Sequence, residues 1–529
     1  MATETIDVLV IGAGAAGAAL TWRLSEQGVK VVCLEQGDWV DPSTFPSLKP
    51  GYETELFRGD FNLDPNVRNL KQDYPVSKGG SNPPSILMHN AVGGSTIHWQ
   101  AHFPRFRPSD FRVKTLDGVA DDWPISYWDL EPYYELNDKM VGVSGLAGDP
   151  ANPPRLPRQM PPLPIGKMGK KLVSGFEKLR WHWWVSDMAI NSETYKDRAP
   201  CMLHGKCMFG CPMGAKSTTD RTYWPKAIAN GAEVRPWSRV KEVTVTEAGK
   251  AKGALYFDKE GNLHEIKAKV VVVCCNGVGT PRLLLNSKSK QFPNGLGNEN
   301  GVLGKYFMIH PAHFFINGVF EEDLDAHFGP MGTPLYSQEF YETDKSRDFV
   351  RGYTLVAERS FGPLFESLSA PWGAGHHKDF SKNFPHRAGI SVIGDDLPEV
   401  YNTVTLDKDK TDAFGMPAAK VTYSFSENSK KMLAHSVEKS KEVLYAAGAK
   451  EVNVPPASNM AHLMGTARMG TDPKRSVINA DHQVHEVANL FIVDGSSFTT
   501  GSGVNPTSTI MALALRAADK IWKKRSDWT

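Results

Sequence analysis

The run Asp7-Val-Leu-Val-Ile-Gly12-Ala-Gly14-Ala-Ala-Gly17 constrains the fold of this chain more than any other segment. An apolar stretch of strand type ends in glycines, and Ala18-Ala-Leu-Thr-Trp-Arg-Leu then takes up a helical pattern. A second apolar run, Val31-Val-Cys-Leu, delivers Glu35 about twenty residues further on, at the spacing of a dinucleotide fingerprint. Gly12 permits the tight turn, Gly14 lets backbone approach a pyrophosphate, and Gly17 lets helix and strand pack closely. Ala15 and Ala16 open the helix, whose N-terminus offers free N–H groups and a positive dipole end. Glu35 is placed to accept hydrogen bonds from a ribose. Strand, turn, helix, strand and acid in this order predict a dinucleotide site.

A chain of 529 residues exceeds one simple core, so two or more domains are expected. Lys plus Arg (60) nearly cancel Asp plus Glu (59), and the net charge of +1 argues against a nucleic-acid or membrane-surface binder. No apolar run approaches the ~20 residues that span a bilayer. The first strand starts within a few residues of Met1, so no signal peptide or twin-arginine leader is expected. Six cysteines exclude a disulfide scaffold.

Residues 40–92 read as an irregular excursion, and the Pro-rich stretch 149–165 as an extended connector. The segment 266–275 is another buried-strand pattern, followed by a helical Pro281-Arg-Leu-Leu-Leu. Residues 310–450 alternate short strand patterns with loops, as a sheet-built domain would. Leu490-Phe-Ile-Val predicts a strand, and Pro506 to Lys524 a long helix.

These segments resemble, from end to end, the glucose–methanol–choline (GMC) family of flavin oxidoreductases. The fingerprint at Gly12 matches the family's FAD site, and Gly93-Gly94-Ser95-Thr-Ile-His98-Trp99 is similar to its flavin-contacting loop. Asn276 to Ser287 and Gly301 to Pro311 are similar to further family segments. His462-Leu-Met-Gly465-Thr466-Ala-Arg468-Met-Gly470 and Asp494-Gly495-Ser-Ser-Phe resemble the closing elements. The resemblance implies an α/β fold: a Rossmann-type FAD-binding domain from residues 1–45, 85–105, 215–309 and 455–529, and a sheet-based substrate domain, 310–454. Residues 106–214 would form a loop-rich segment with a cysteine cluster. It also implies oxidation of an alcohol carbon, with His462 as the catalytic base and Asn505, followed by Pro506 and Thr507, at the His-or-Asn partner position. A histidine near neutrality can take the hydroxyl proton while hydride leaves carbon. An amide orients the oxygen but cannot act as a base. His102, His310, His482 and His485 are assigned structural roles. His98 aligns with the position where some relatives attach flavin covalently; the other reading is a histidine packed on the flavin without a bond.

Cys201-Met-Leu-His-Gly-Lys-Cys207-Met-Phe-Gly-Cys211 places half of all cysteines within eleven residues. Thiolates favour zinc or iron–sulfur centres. A tetrahedral zinc site would need His204 as fourth ligand; reduced buried cysteines or a redox disulfide are the plainer readings. The loop is similar to that of GMC sugar dehydrogenase catalytic subunits, which implies a [3Fe-4S] cluster on Cys201, Cys207 and Cys211. Such relatives work with a small subunit and a cytochrome, and the location would be cytoplasmic, or periplasmic by co-export. The expected activity is oxidation of a sugar or glycoside, at a carbon the sequence leaves open, with an oxidase forming hydrogen peroxide as the alternative. Trp181-His-Trp-Trp184 would line a sugar pocket or pack a core.

Overall fold

The computed structural model describes residues 5–57, 59–330, 332–360 and 362–528. Strand β1 (Thr5–Ile11) leads through the glycine turn into helix α1 (Ala15–Glu26) and back to strand β2 (Val31–Leu34). Strands β1 and β2 pair in parallel, Val8 opposite Val31 and Ile11 opposite Leu34. Both are apolar on two faces because helices cover the sheet on either side. The sheet continues from β2 to Glu233–Arg235 on one edge, and from β1 to Leu263–Val273 and Leu490–Ile492 on the other, all parallel. Ala251–Phe257 and Arg239–Val245 then extend it as antiparallel strands. Helix α1 packs on the helix Thr507–Lys523, which packs in turn on Tyr127–Val141.

A second sheet is antiparallel throughout. Its central strand Met308–Val319 pairs with Arg387–Gly394, which leads outward to Tyr353–Glu358, Leu335–Ser337 and Trp184–Val185. On its other side Met308–Val319 pairs with Ser458–Met464 and Glu451–Asn453. The helices Gly166–Leu179 and Glu427–Ala446 cover this sheet and share an apolar core with it. The sequence reading missed both. Glu427–Ala446 starts at Ser426, whose side chain accepts from the Ser429 N–H, and buries Ser429, Met432, Leu433, Ser436, Ser440, Val443 and Leu444. Three of those seven are serines, which dilutes the apolar period that announces a helix.

The glycine turn is held by contact between backbones. A Cβ on Gly17 would lie 1.9 Å from the Gly12 carbonyl oxygen, and one on Gly12 (φ +103°) would lie 2.5 Å from the Cys274 carbonyl. A Cβ on Gly14 would meet nothing within 4 Å. Gly17→Ala is therefore expected to destabilise the fold by about 1–3 kcal/mol, the usual cost of overpacking, read as a lowered melting temperature of the apoprotein. Gly14→Ala should leave that melting temperature unchanged and lower cofactor occupancy. Equal melting temperatures for the two variants would contradict this reading.

Candidate active site

A cavity of 590 Å³ opens along the ends of the parallel strands and reaches the second sheet. At one end the N-terminus of α1 faces it without a side-chain cap, Gly14 standing at the cap position. The helix Thr507–Lys523 also starts without a side-chain cap, at Pro506, which lines the same cavity. Two bare helix starts supply N–H donors and positive dipole ends to an anion. A Cβ on Gly94 (φ +54°) would come within 2.9 Å of the Gly14 Cα, so glycine alone keeps these two turns together.

The residues expected to hold a cofactor gather here. Gly12, Gly14, Ala15, Ala16 and Glu35 line one end, Gly94, Ser95, His98 and Trp99 a side, and Asp494, Gly495, Asn505, Pro506 and Thr507 the far wall. Gly17 and Gly93 stand behind the lining. Gly17 packs on Gly12, and the Gly93 N–H donates to the Ala13 carbonyl at 3.0 Å. Glu35 is buried, and its two carboxylate oxygens accept from the Ala13 N–H (2.8 Å) and the Gly37 N–H (2.9 Å). Burial pushes its pKa up. The acid thus braces the turn as well as facing the cavity. Asp494 accepts from Ser496 N–H (2.7 Å), Thr280 Oγ1 (2.6 Å) and Asn276 N–H (3.1 Å), tying the far wall to the start of helix Asn276–Asn286. The His98 Nδ1 lies 3.0 Å from the Met208 carbonyl, which only accepts, so the proton is on Nδ1 and Nε2 carries the lone pair. That Nε2 is buried and has no hydrogen-bond partner among the described residues.

At the end nearest the second sheet, His462 and Asn505 meet as expected, Asn505 Nδ2 lying 3.4 Å from His462 Nε2. Two histidines assigned structural roles from sequence, His102 and His310, lie beside them. His102 Nδ1 lies 2.8 Å from Asn505 Oδ1, and His310 Nδ1 lies 2.7 Å from His462 Nδ1. His310 sits on Met308–Val319 and His462 on Ser458–Met464, strands that pair antiparallel with a register shift between Met460 and Met464. Long-range pairing of this kind leaves no mark in local sequence. His482 and His485 keep structural roles, on the Ile492 carbonyl and the Ser476 hydroxyl. Burial lowers the His462 and His102 pKa values to about 4 each.

The tryptophans of 181–184 do not line the cavity. Trp181 packs edge-on against Phe340 and Trp184 sits on the outer strand, so the core reading holds. The substrate end is walled instead by Phe314, Val356 and Ile393, with Thr333, Gln100 and Glu358 among them.

Cys201, Cys207, Cys211 and His204 line a separate cavity of only 20 Å³, room for about one water. Among the described residues no three His, Cys, Asp or Glu side chains are placed to hold a metal ion. The [3Fe-4S] ligand set that the resemblance implies on Cys201, Cys207 and Cys211 is therefore not supported by the arrangement of the described residues. What the loop does is buttress. The ammonium of buried Lys216 donates to the carbonyls of Ile97 (2.7 Å), Trp99 (3.1 Å) and Cys207 (2.6 Å), joining the cysteine loop to the loop beside the large cavity.

Sequence models described as GMC oxidoreductase match residues 6–312 and 398–514. The chain belongs to the GMC oxidoreductase family. It is 45% identical to 2-methyl-1,2-propanediol dehydrogenase of Mycolicibacterium austroafricanum, over 99% of this chain and 96% of that one. It is 29% identical to the fructose dehydrogenase large subunit of Gluconobacter japonicus, over 98% and 99%. The pyridoxine 4-oxidase of Mesorbium loti shares the fold, with a TM-score of 0.70 at 14% identity over 97% and 99% of the chains. The α/β architecture is thus that of the family, an FAD-binding Rossmann-type part with a substrate-binding sheet, and the chain is an oxidoreductase of flavoprotein type. The glycine cradle and the paired helix starts suit FAD on their own chemistry, since its pyrophosphate needs N–H donors and close backbone.

The buried histidines have a consequence for acid stability. Unfolded histidine titrates near 6.5, whereas burial lowers His89 and His482 to about 3, and His102 and His462 to about 4. The unfolded chain therefore binds protons first as pH falls. Their stability contribution is complete above pH 6.5 and is lost progressively as pH falls towards 4 and 3. The melting temperature should drop steadily between pH 7 and pH 5, and His102→Asn should flatten that slope. A melting temperature independent of pH over this window would show that these rings are not held neutral.

Proposed function

We propose that this protein is an FAD-dependent dehydrogenase of a small branched alcohol, best a 1,2-diol. The observation that carries the reading is the pairing of His462 Nε2 with Asn505 Nδ2 at the substrate end of the cavity. Bound FAD supplies the hydride acceptor. Gly14, Gly94 and the helix start at Ala15 would hold its pyrophosphate, and Glu35 would face its ribose. An alcohol oxygen seated against both His462 and Asn505 accepts from the amide N–H and gives its proton to the bare Nε2. The 3.4 Å between the two groups is a weak contact, so the oxygen displaces little. A base must be neutral to act, and burial keeps His462 so at any physiological pH.

The wall chemistry and the relatives favour a diol over the sugar expected from sequence. Phe314, Val356 and Ile393 offer apolar surface to methyl groups, and no tryptophan of the 181–184 run is available as a sugar platform. The relative that is 45% identical is named for a diol whose second carbon carries no hydrogen, so hydride from it must leave the primary carbon. His98, with its bare and unpartnered Nε2, is the side chain suited to a covalent bond with the flavin ring.

No step of this proposal runs through iron, and the electron acceptor is a separate molecule other than oxygen. Iron and acid-labile sulfide measured against FAD on anaerobically purified protein test the cysteine loop directly; three irons per flavin would reinstate the cluster.

Two outcomes are expected. With an artificial acceptor, 2-methyl-1,2-propanediol should give a kcat/KM above those of glucose and fructose, with no hydrogen peroxide under air. A sugar preference would overturn the substrate class, and stoichiometric peroxide would make the protein an oxidase. His462→Ala should lower turnover by roughly 10²–10⁴-fold, the worth of general base catalysis, with FAD retained. Acid-precipitated wild-type protein should keep its flavin, and His98→Ala should release it.

A further inference from the structure

Two neutral imidazoles facing each other through Nδ1 at 2.7 Å hold one proton between them. Two lone pairs would repel and two N–H groups would clash. Burial keeps both rings of the His310–His462 pair neutral, so only two arrangements exist. In the first, His462 Nδ1–H donates to His310 Nδ1, leaving His462 Nε2 bare and His310 protonated at Nε2. In the second the direction reverses and His462 presents an Nε2–H to the cavity, where it cannot accept a proton.

The neighbours choose between them. Asn505 turns its Nδ2 to His462 Nε2 and its Oδ1 to His102 Nδ1. An amide N–H only donates, so His462 Nε2 is the acceptor and is bare. The amide oxygen only accepts, so His102 Nδ1 carries hydrogen. Amide orientation and histidine tautomer are set together by the network rather than by shape, and the amide as placed calls for hydrogen on His102 Nδ1.

We propose that His102 and His310 are positioning residues that fix His462 in its Nδ1–H tautomer, through one directed chain: His102 to Asn505, Asn505 to His462, His462 to His310. The direction reverses only if all members reverse together, since any single reversal sets donor against donor. When His462 takes the hydroxyl proton at Nε2 and hydride leaves the carbon for the flavin, its Nδ1–H stays on His310, and that bond strengthens as the ring becomes charged. The role assigned to His310 and His102 rests on the reading of His462 as base, and goes beyond it by naming what makes His462 a base rather than a donor.

The test has one readout that needs no turnover. Holoenzyme labelled with ¹⁵N-histidine, its signals assigned with His102→Asn, His310→Asn and His462→Gln, should show His462 protonated at Nδ1 and bare at Nε2, with His310 protonated at Nε2. A His462 protonated at Nε2 would overturn the proposal. Flavin reduction by the alcohol, followed anaerobically in one turnover, gives the second readout. His310→Leu removes the acceptor and should slow reduction roughly 10²–10³-fold. This is less than the ~10⁴ lost when a triad loses the carboxylate that orients its histidine, because His310 is neutral. His310→Asn restores an acceptor oxygen near the Nδ1 position and should recover most of that loss at equal FAD content. Equal rates in the Leu and Asn variants would also overturn the proposal. If no alcohol reduced the wild-type flavin, the proposed function would fall while the nitrogen spectrum still judged the tautomer.

Discussion

The Gly12 carbonyl oxygen occupies the place where a side chain on residue 17 would begin, and the site is built outward from that contact. It brings α1 down against β1, so that the helix starts at the very end of the strand. The turn then satisfies its own polar groups. The Ala13 N–H goes to Glu35, and the Ala13 carbonyl accepts from both the Gly93 N–H and the indole of Trp224 (2.9 Å). With the turn closed on itself, the open donors are those of the helix start, and they face the cavity. Gly94 against Gly14 repeats the logic between two loops distant in sequence. Glycine here is a requirement of backbone approach, which is why the motif could be read from the chain alone.

Burial does the electrostatic work at the other end. His98, His102 and His310 are buried and His462 is half-buried on the cavity wall, and each is held below the ordinary histidine range by loss of solvation. Neutral rings in a dry site make directed hydrogen bonds count for more, since nothing else competes for their lone pairs. Neutrality costs acid stability, and it keeps a base available where a solvent-exposed imidazole would be partly protonated.

The parts legible in the sequence were those with local causes. The glycine turn, strands β1 and β2, the strand at Leu490–Ile492 and the helix Thr507–Lys523 each carry a period or a turn residue of their own. His462 and Asn505 were legible through resemblance. His102 and His310 were not, because their significance arises from strand pairing and loop packing over |i−j| separations of 403 and 152 residues. The helix Glu427–Ala446 escaped because serines replace apolar residues on part of its buried face. The cysteine spacing was legible only as proximity: three thiols close in sequence do line one cavity, which holds no more than about one water.

His462, Asn505 and the cavity they line lie along the seam between the two sheets. The parallel sheet contributes the cradle. The antiparallel sheet contributes His310 and Phe314 from one strand, His462 from the adjacent strand, and Val356, Glu358 and Ile393 from its other strands. Asn505 and His102 come from the loops that join the seam on the cradle side. Lys216 fixes that side further, since all three of its donors are spent on carbonyls and the loop at 97–99 cannot shift without the cysteine loop. Substitutions at Phe314, Val356 or Ile393 therefore reshape the substrate wall without touching the proton chain, whereas a change at His102 reaches the base through Asn505. Under the proposed function, substrate choice and proton direction fall to different residues of the same cavity, and the histidine belonging to both loop and chain is His102.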